Sequence, residues 1–335
     1  MQPELPSLLQ PDWEANSGLQ AWHADMQRHT ALTYRQESLV GGLAMQGTHS
    51  GDGIKYVDIL PPGVADEKDA IVVMHNFAAG WGVRGAIRHE ALLAALPEPR
   101  RLIAFPNAVA GSQVATYSYK ERRAFAAGDF SPLSDRVLRV CEELGVRSIQ
   151  TAGYSQGAAT GGALLARAAH HGIGVRNSGL FDPPNVVDRT PLELVHDFVA
   201  TGVESGFRAA RGAHIPAINE ANGTVLADRI IGRVKATRSY VHAHNRAIAN
   251  GLAHRTFGRN ADRFLRDFPD AHLLCMRAEL STVTPKEAFD KQVQYLSHHP
   301  GRVQAIEISG IGHEFAENPL SYALLAARAL RNKKP

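Results

Sequence analysis

Short apolar runs alternate with stretches of helical period along most of this chain. Residues 54–60, IKYVDIL, alternate apolar and polar side chains as a strand with one covered face does, and Pro61-Pro62-Gly63 ends the run. Residues 70–74 (AIVVM) and 101–106 (RLIAFP) are short and apolar throughout, the pattern of strands buried on both faces. Residues 131–145, SPLSDRVLRVCEELG, place Leu133, Val137, Val140 and Leu144 at helical spacing and stop at Gly145. A strand over 146–153 (VRSIQTAG) follows, then a helix over 157–171. The small residues Ala158, Ala159, Gly161 and Gly162 in its first turns suit close packing on a sheet. Next come a strand at 178–182, a long helical stretch over about 190–266, a strand at 272–276 and a helix at 285–298. A strand at 303–309 and a helix from Leu320 close the chain, and a further helical segment spans Leu19–Gln27 near its start.

Strands alternating with helices predict an α/β fold, a mostly parallel sheet with helices on both faces. Within the long helical stretch, Thr190-Pro191-Leu192-Glu193 reads as a capping box with proline at the first helical position. Leu192, Val195, Val199 and Val203 continue it, and a second helical pattern runs from about Val225 to Leu252. The expected organisation is an N-terminal extension (1–45), a core made of 46–185 and 269–335, and an inserted helical cap (186–268).

Composition changes this picture little. With 335 residues, 44% hydrophobic and 21% charged, the chain is an ordinary globular one, large enough for one domain with an insertion. No run of eighteen apolar residues predicts a membrane span, and the polar, acidic start does not resemble a secretory signal. Cys141 and Cys275, the only cysteines, show no metal-binding spacing and read as buried free thiols. A cytoplasmic location is the expectation. A formal net charge of +3 does not point to nucleic acid. Residues 221–270 nevertheless hold nine Lys/Arg (Arg229, Arg233, Lys235, Arg238, Arg246, Arg255, Arg259, Arg263, Arg266) against four acids. This excess fits a solvated helix face or attraction of an anionic substrate or lipid surface.

In a parallel sheet, ligands gather at the carboxyl ends of the strands. There the chain places His75-Asn76-Phe77, then Ser155, then Asp182, then Glu279 and finally His313. A backbone-amide loop, a serine, two acids and a histidine form a set suited to nucleophilic acyl transfer. From roughly residue 54 to 330 the chain resembles the α/β-hydrolases. Gly153-Tyr154-Ser155-Gln156-Gly157 matches the G-x-S-x-G elbow of that family, and His313 in SGIGHEF matches its histidine after the last strand.

The resemblance implies a serine esterase or lipase-like enzyme with Ser155 as nucleophile and His313 as general base and acid. It implies an oxyanion hole from the amides of Gln156 and Phe77, although His75-Asn76 stands where the family usually has His-Gly. Two positions compete for the acid, with Asp182 favoured and Glu279 the alternative. Asp182 ends the strand after the elbow, its loop stiffened by Pro183 and Pro184. Glu279 lies near the family's usual place, where Ser281 or Thr282 stands instead. No metal or organic cofactor is implied, and the expected partner is a small-molecule or lipid-like ester. Other serine chemistry on the same scaffold (carbon–carbon or amide hydrolysis, acyl transfer, perhydrolysis) and a non-catalytic binding role are the alternatives.

Overall fold

Alternation of side chains along a strand sends successive residues to opposite faces, and the central strands show how this sequence uses it. In the strand Asp69–Met74, Ala70, Val72 and Met74 enter one buried cluster, while Ile71 and Val73 enter another. The computed structural model describes residues 2–37, 48–49, 53–74, 83–105, 117–223 and 243–331.

In chain order the elements are α1 (Gln10–Glu14), α2 (Ser17–Met26), α3 (Ala31–Glu37), β1 (Thr48–His49), β2 (Lys55–Ile59), β3 (Asp69–Met74), α4 (Val83–Ala95) and β4 (Arg101–Phe105). They continue with α5 (Tyr119–Ala126), α6 (Ser131–Glu143), β5 (Ser148–Tyr154), α7 (Gln156–Leu165), β6 (Gly174–Val175), β7 (Ser178–Phe181), α8 (Pro191–Gly212) and α9 (Pro216–Gly223). The last are α10 (Ala243–Leu252), α11 (Phe257–Asp267), β8 (Leu273–Ala278), α12 (Lys286–Tyr295), β9 (Val303–Ile308) and α13 (Pro319–Leu330).

The described strands form one sheet in the order β1-β2-β4-β3-β5-β7-β8-β9, with the short β6 paired beside β5. Pairings β1–β2 and β2–β4 are antiparallel and all others are parallel. One face carries a cluster built from α5, α6, α7, α10 and α11, including Phe125, Phe130, Leu138, Leu164, Phe257 and Phe264. The other carries α4 and α13, with Ile87, Leu92, Tyr322 and Leu325. The sequence-derived α/β class with helices on both faces is therefore the architecture observed.

Buried polar groups bind these layers where apolar contact alone would leave them unpaired. Gln150 on β5 donates to the carbonyls of Asn177 (3.0 Å) and Leu330 (3.1 Å), tying the last helix to the sheet. Its own carbonyl accepts from Arg100, which also pairs with Asp69. Both cysteines are free and buried, as expected from the sequence, and burial pushes each thiol up to about 12.

The N-terminal helices pack onto the core. Leu9, Leu19 and Met26 are buried in the cluster that holds α13, the Glu4 amide donates to the Gly212 carbonyl, and Asn318 donates to the Glu4 carbonyl. The helical stretch anticipated over 190–266 is divided. α8 ends at Gly212, His214 takes a left-handed backbone (φ 53°), and Pro216 opens α9. Proline has no amide to continue the helical ladder, so the break falls where Pro216 stands. The capping box is present, with Thr190 accepting from the Glu193 amide and Glu193 accepting from the Thr190 amide. Residues 224–242, most of the second helical pattern, lie outside the described residues. Among the described residues, no helix is long and apolar enough to cross a membrane.

Candidate active site

Strand β5 ends at Tyr154 and α7 begins at Gln156, so Ser155 alone makes the turn between them. Its backbone sits at φ 57°, ψ −124°, a region L-residues avoid at a cost of about 1–3 kcal/mol. Three hydrogen bonds hold it there. The Ser155 amide donates to the Phe181 carbonyl (2.9 Å), and its own carbonyl accepts from the amides of Ala158 (2.9 Å) and Ala159 (3.2 Å). The turn also brings α7 hard against β5. A Cβ on Gly153 would lie 2.3 Å from the Gly157 carbonyl oxygen and 2.7 Å from its carbon. Both are backbone atoms that no rotamer change can move. Gly153→Ala is expected to destabilise the fold by about 3 kcal/mol, the upper end for forcing a methyl into packed structure. Urea denaturation measures it, and an unchanged midpoint would mean the elbow relaxes freely.

His313 follows β9 after a glycine-containing turn and opens the short helical turn His313–Glu317. Its carbonyl accepts from the Tyr154 hydroxyl at 2.5 Å. Burial pushes the Tyr154 phenol well above its usual range, so that hydroxyl keeps its proton and remains a donor. Asp182 follows β7, with its backbone at φ 47°, a conformation that aspartate adopts more readily than most residues. Its amide donates to the Met276 carbonyl (2.6 Å), and its Oδ1 accepts from the Ala278 amide (3.0 Å).

These anchors make a continuous chain. Ser155 Oγ lies 2.8 Å from His313 Nε2, and His313 Nδ1 lies 2.5 Å from Asp182 Oδ2. A carboxylate can only accept, so Nδ1 carries the imidazole proton and Nε2 is left to accept from the serine hydroxyl. Asp182 Oδ2 accepts a second hydrogen bond from the Ser281 hydroxyl (2.6 Å). All three side chains are buried, with Ser155, His313 and Asp182 at 2%, 4% and 0% exposure.

A serine on a strained strand-to-helix turn, with an acid and then a histidine later in the chain at the carboxyl ends of a mostly parallel sheet, decides the architecture. The fold is that of the α/β-hydrolases. No protein-family profile matches the chain, and no curated protein sequence does. Solved structures similar to it include an α/β-hydrolase from a Medee basin deep-sea metagenome library, at 13% identity and TM-score 0.48 over 82% of this chain and 93% of that one. An esterase from Exiguobacterium antarcticum is 18% identical, with TM-score 0.46 over 83% and 99% of the two chains. The enol-lactonase from Burkholderia xenovorans is 13% identical, with TM-score 0.47 over 81% and 95%.

The α/β-hydrolase fold here brings Asp182 to His313, and it does not bring Glu279. The exposed Glu279 carboxylate accepts instead from the Gly310 amide at 2.7 Å. The two candidates stand after neighbouring strands, β7 and β8. Only the left-handed turn at Asp182 aims a carboxylate back across the sheet end. Ser281, one of the two residues expected near the family's usual acid position, donates its hydroxyl to the same carboxylate. The sequence places Ser281 or Thr282 there and assigns neither a task. The Tyr154 hydroxyl has no sequence signal either, because the x positions of the elbow motif admit many side chains.

Gln156 is buried at the first position of α7, where helix amides and dipole face the elbow. Phe77, with His75 and Asn76, lies outside the described residues. A cavity of about 770 Å³ borders His313 and is walled by residues 2–6, Arg208 and the turn 309–315, but it does not touch Ser155. Of the basic residues in 221–270, Arg229, Arg233, Lys235 and Arg238 lie outside the described residues. Arg255, Arg263 and Arg266 face the acids Asp188, Asp267 and Asp262.

Proposed function

We propose that this protein is a serine hydrolase that cleaves a carboxylic ester. The hydrogen-bonded chain from Ser155 through His313 to Asp182 carries this reading. His313 Nε2 takes the Ser155 proton as Oγ attacks the ester carbonyl, and Asp182 holds the imidazole in the required tautomer and stabilises the imidazolium. The developing oxyanion rests on the amides of Gln156 and Phe77, a type of contact that typically supplies a large share of the rate. His313 then protonates the departing alcohol. Water, activated by the same imidazole, releases the acyl group.

Of the cap expected over 186–268, α8 is the part that shapes the acyl and alcohol pockets, while α10 and α11 pack on a face of the sheet. Packing of α8 against the turn that carries His313 supports this. A small-molecule or lipid-like ester fits a triad buried to this degree beneath a cap.

The direct test is intact mass after incubation with a fluorophosphonate, followed by peptide mapping. A single adduct on Ser155 is the expected result. No adduct, or one on another residue, would overturn the assignment. A panel pairing esters with the matching amides and carbon–carbon substrates then checks the ester preference.

A further inference from the structure

A second cluster of reactive side chains lies at the other end of the sheet. Asp262 stands midway along α11, which leads into the amino end of β8, and His298 and His299 follow α12 and lead into the amino end of β9. Ser155, Asp182 and His313 all follow carboxyl ends of strands, so the cluster is separate from them. Asp262 Oδ1 lies 2.8 Å from His298 Nε2 and 3.0 Å from His299 Nε2. Asp262 and His299 are buried and His298 is half-exposed. All three ligand-type atoms lie within 4.8 Å of one another.

The hydrogen-bond inventory around His298 is unusual. Its Nδ1 is 2.8 Å from the Tyr295 carbonyl, which can only accept, so Nδ1 carries a proton. In the neutral ring Nε2 then presents a lone pair. That lone pair faces a carboxylate oxygen, a second acceptor, at hydrogen-bond distance. A positive centre between them removes the conflict. A backbone carbonyl on the far nitrogen is also the arrangement that fixes a metal-binding histidine in place. Asp262 is oriented in the same way, because Arg266 holds its other oxygen at 2.9 Å and leaves Oδ1 to face the rings.

The geometry points to a binding site for a divalent transition-metal ion of the zinc type, with Asp262 Oδ1, His298 Nε2 and His299 Nε2 as ligands and water in the fourth position. Two imidazoles and one carboxylate suit zinc, whose bonds of about 2.0–2.1 Å in a tetrahedron place ligand atoms about 3.3 Å apart. Widening the observed 2.8 and 3.0 Å spacings to that value takes a small swing of the half-exposed His298 ring and a shift of a few tenths of an ångström between the Asp262 carboxylate and His299. A cavity of about 510 Å³ opens on the Asp262 side of the cluster, lined also by Tyr295, Arg259, Arg263 and Arg266. The guanidinium of Arg266 beside Asp262 moderates the affinity. The bound ion joins α11 to the α12–β9 connection, two segments far apart in the chain, and so its effect is on stability rather than on ester chemistry.

The test uses the full chain, free of any affinity tag, stripped with a chelator and titrated with Zn²⁺ by calorimetry near neutral pH. One equivalent should bind and should raise the thermal midpoint. His298→Ala and Asp262→Asn should each weaken binding at least about 10-fold, the loss expected even for an outer partner of a metal ligand. Both variants should also lose the rise in midpoint. His196→Ala, at a side chain 80% exposed and away from the cluster, should change nothing. Protein already labelled by fluorophosphonate should bind the same equivalent, which separates this site from His313. Absence of saturable binding, or binding that both ligand variants leave intact, would overturn the site and leave an imidazolium–carboxylate ion pair only.

Discussion

Alanine at Ser155 will leave a folded protein whose ester turnover is lower by about 10⁶-fold, the scale seen when a triad nucleophile is removed. Folding should survive because the substitution deletes one oxygen and keeps the Cβ. The positive φ of the elbow costs alanine what it costs serine, and the backbone hydrogen bonds to Phe181, Ala158 and Ala159 remain. His313 keeps its bond to Asp182. Steady-state turnover of a p-nitrophenyl ester, with urea denaturation of the same preparation, separates lost chemistry from lost fold. Retention of more than about one per cent of kcat with an intact fold would remove Ser155 from the mechanism.

Asp182→Asn should lower kcat by about 10⁴-fold with little change in fold. Asparagine is isosteric and tolerates the left-handed backbone at this position as well as aspartate does. Its amide cannot reproduce the hydrogen bonding, however. With the side-chain carbonyl accepting from the Ala278 amide, the NH₂ group faces both His313 Nδ1 and the Ser281 hydroxyl. Nδ1 must then accept, the ring proton moves to Nε2, and the nitrogen beside Ser155 can no longer take the serine proton. Glu279→Gln, at the exposed neighbour bound to the Gly310 amide, should stay within about two-fold of the unmodified enzyme, as surface changes usually do. Kinetics on the two variants side by side decide which acid serves His313, and a large loss only in Glu279→Gln would reverse the assignment.

The strands were the most legible part of this chain. AIVVM and RLIAF are apolar without interruption because parallel strands are covered on both faces, and no polar period competes with that signal. Helices α4 and α5 were not anticipated. α4 buries Arg88, His89 and Glu90 among its apolar residues, and α5 buries only Phe125, so neither shows a clean apolar stripe. The serine and histidine could be located because a strand end restricts where a side chain points. For the acid the sequence favours Asp182 over Glu279 without separating them by any pattern. Asp182 and Glu279 both follow strands, and their difference is a backbone dihedral at one residue and a hydroxyl from Ser281, neither of which has a sequence period. Asp262 and the pair His298-His299 stand more than thirty residues apart in the chain, and only the packing of α11 against the end of α12 unites them.

The placement of the first helices constrains the order in which the molecule can assemble. Leu9, Leu19 and Met26 share a buried cluster with Leu320, Leu324 and Leu325 of α13, and Asn318 grips the Glu4 carbonyl. α2 has a nearer partner in α4, where Asn16 donates to the Ala95 carbonyl, but the cluster it shares with α13 joins residues about three hundred positions apart. Contacts of such long sequence separation form late. The part of this cluster that α13 completes stays open to aggregation, or sheltered by a chaperone, until α13 docks.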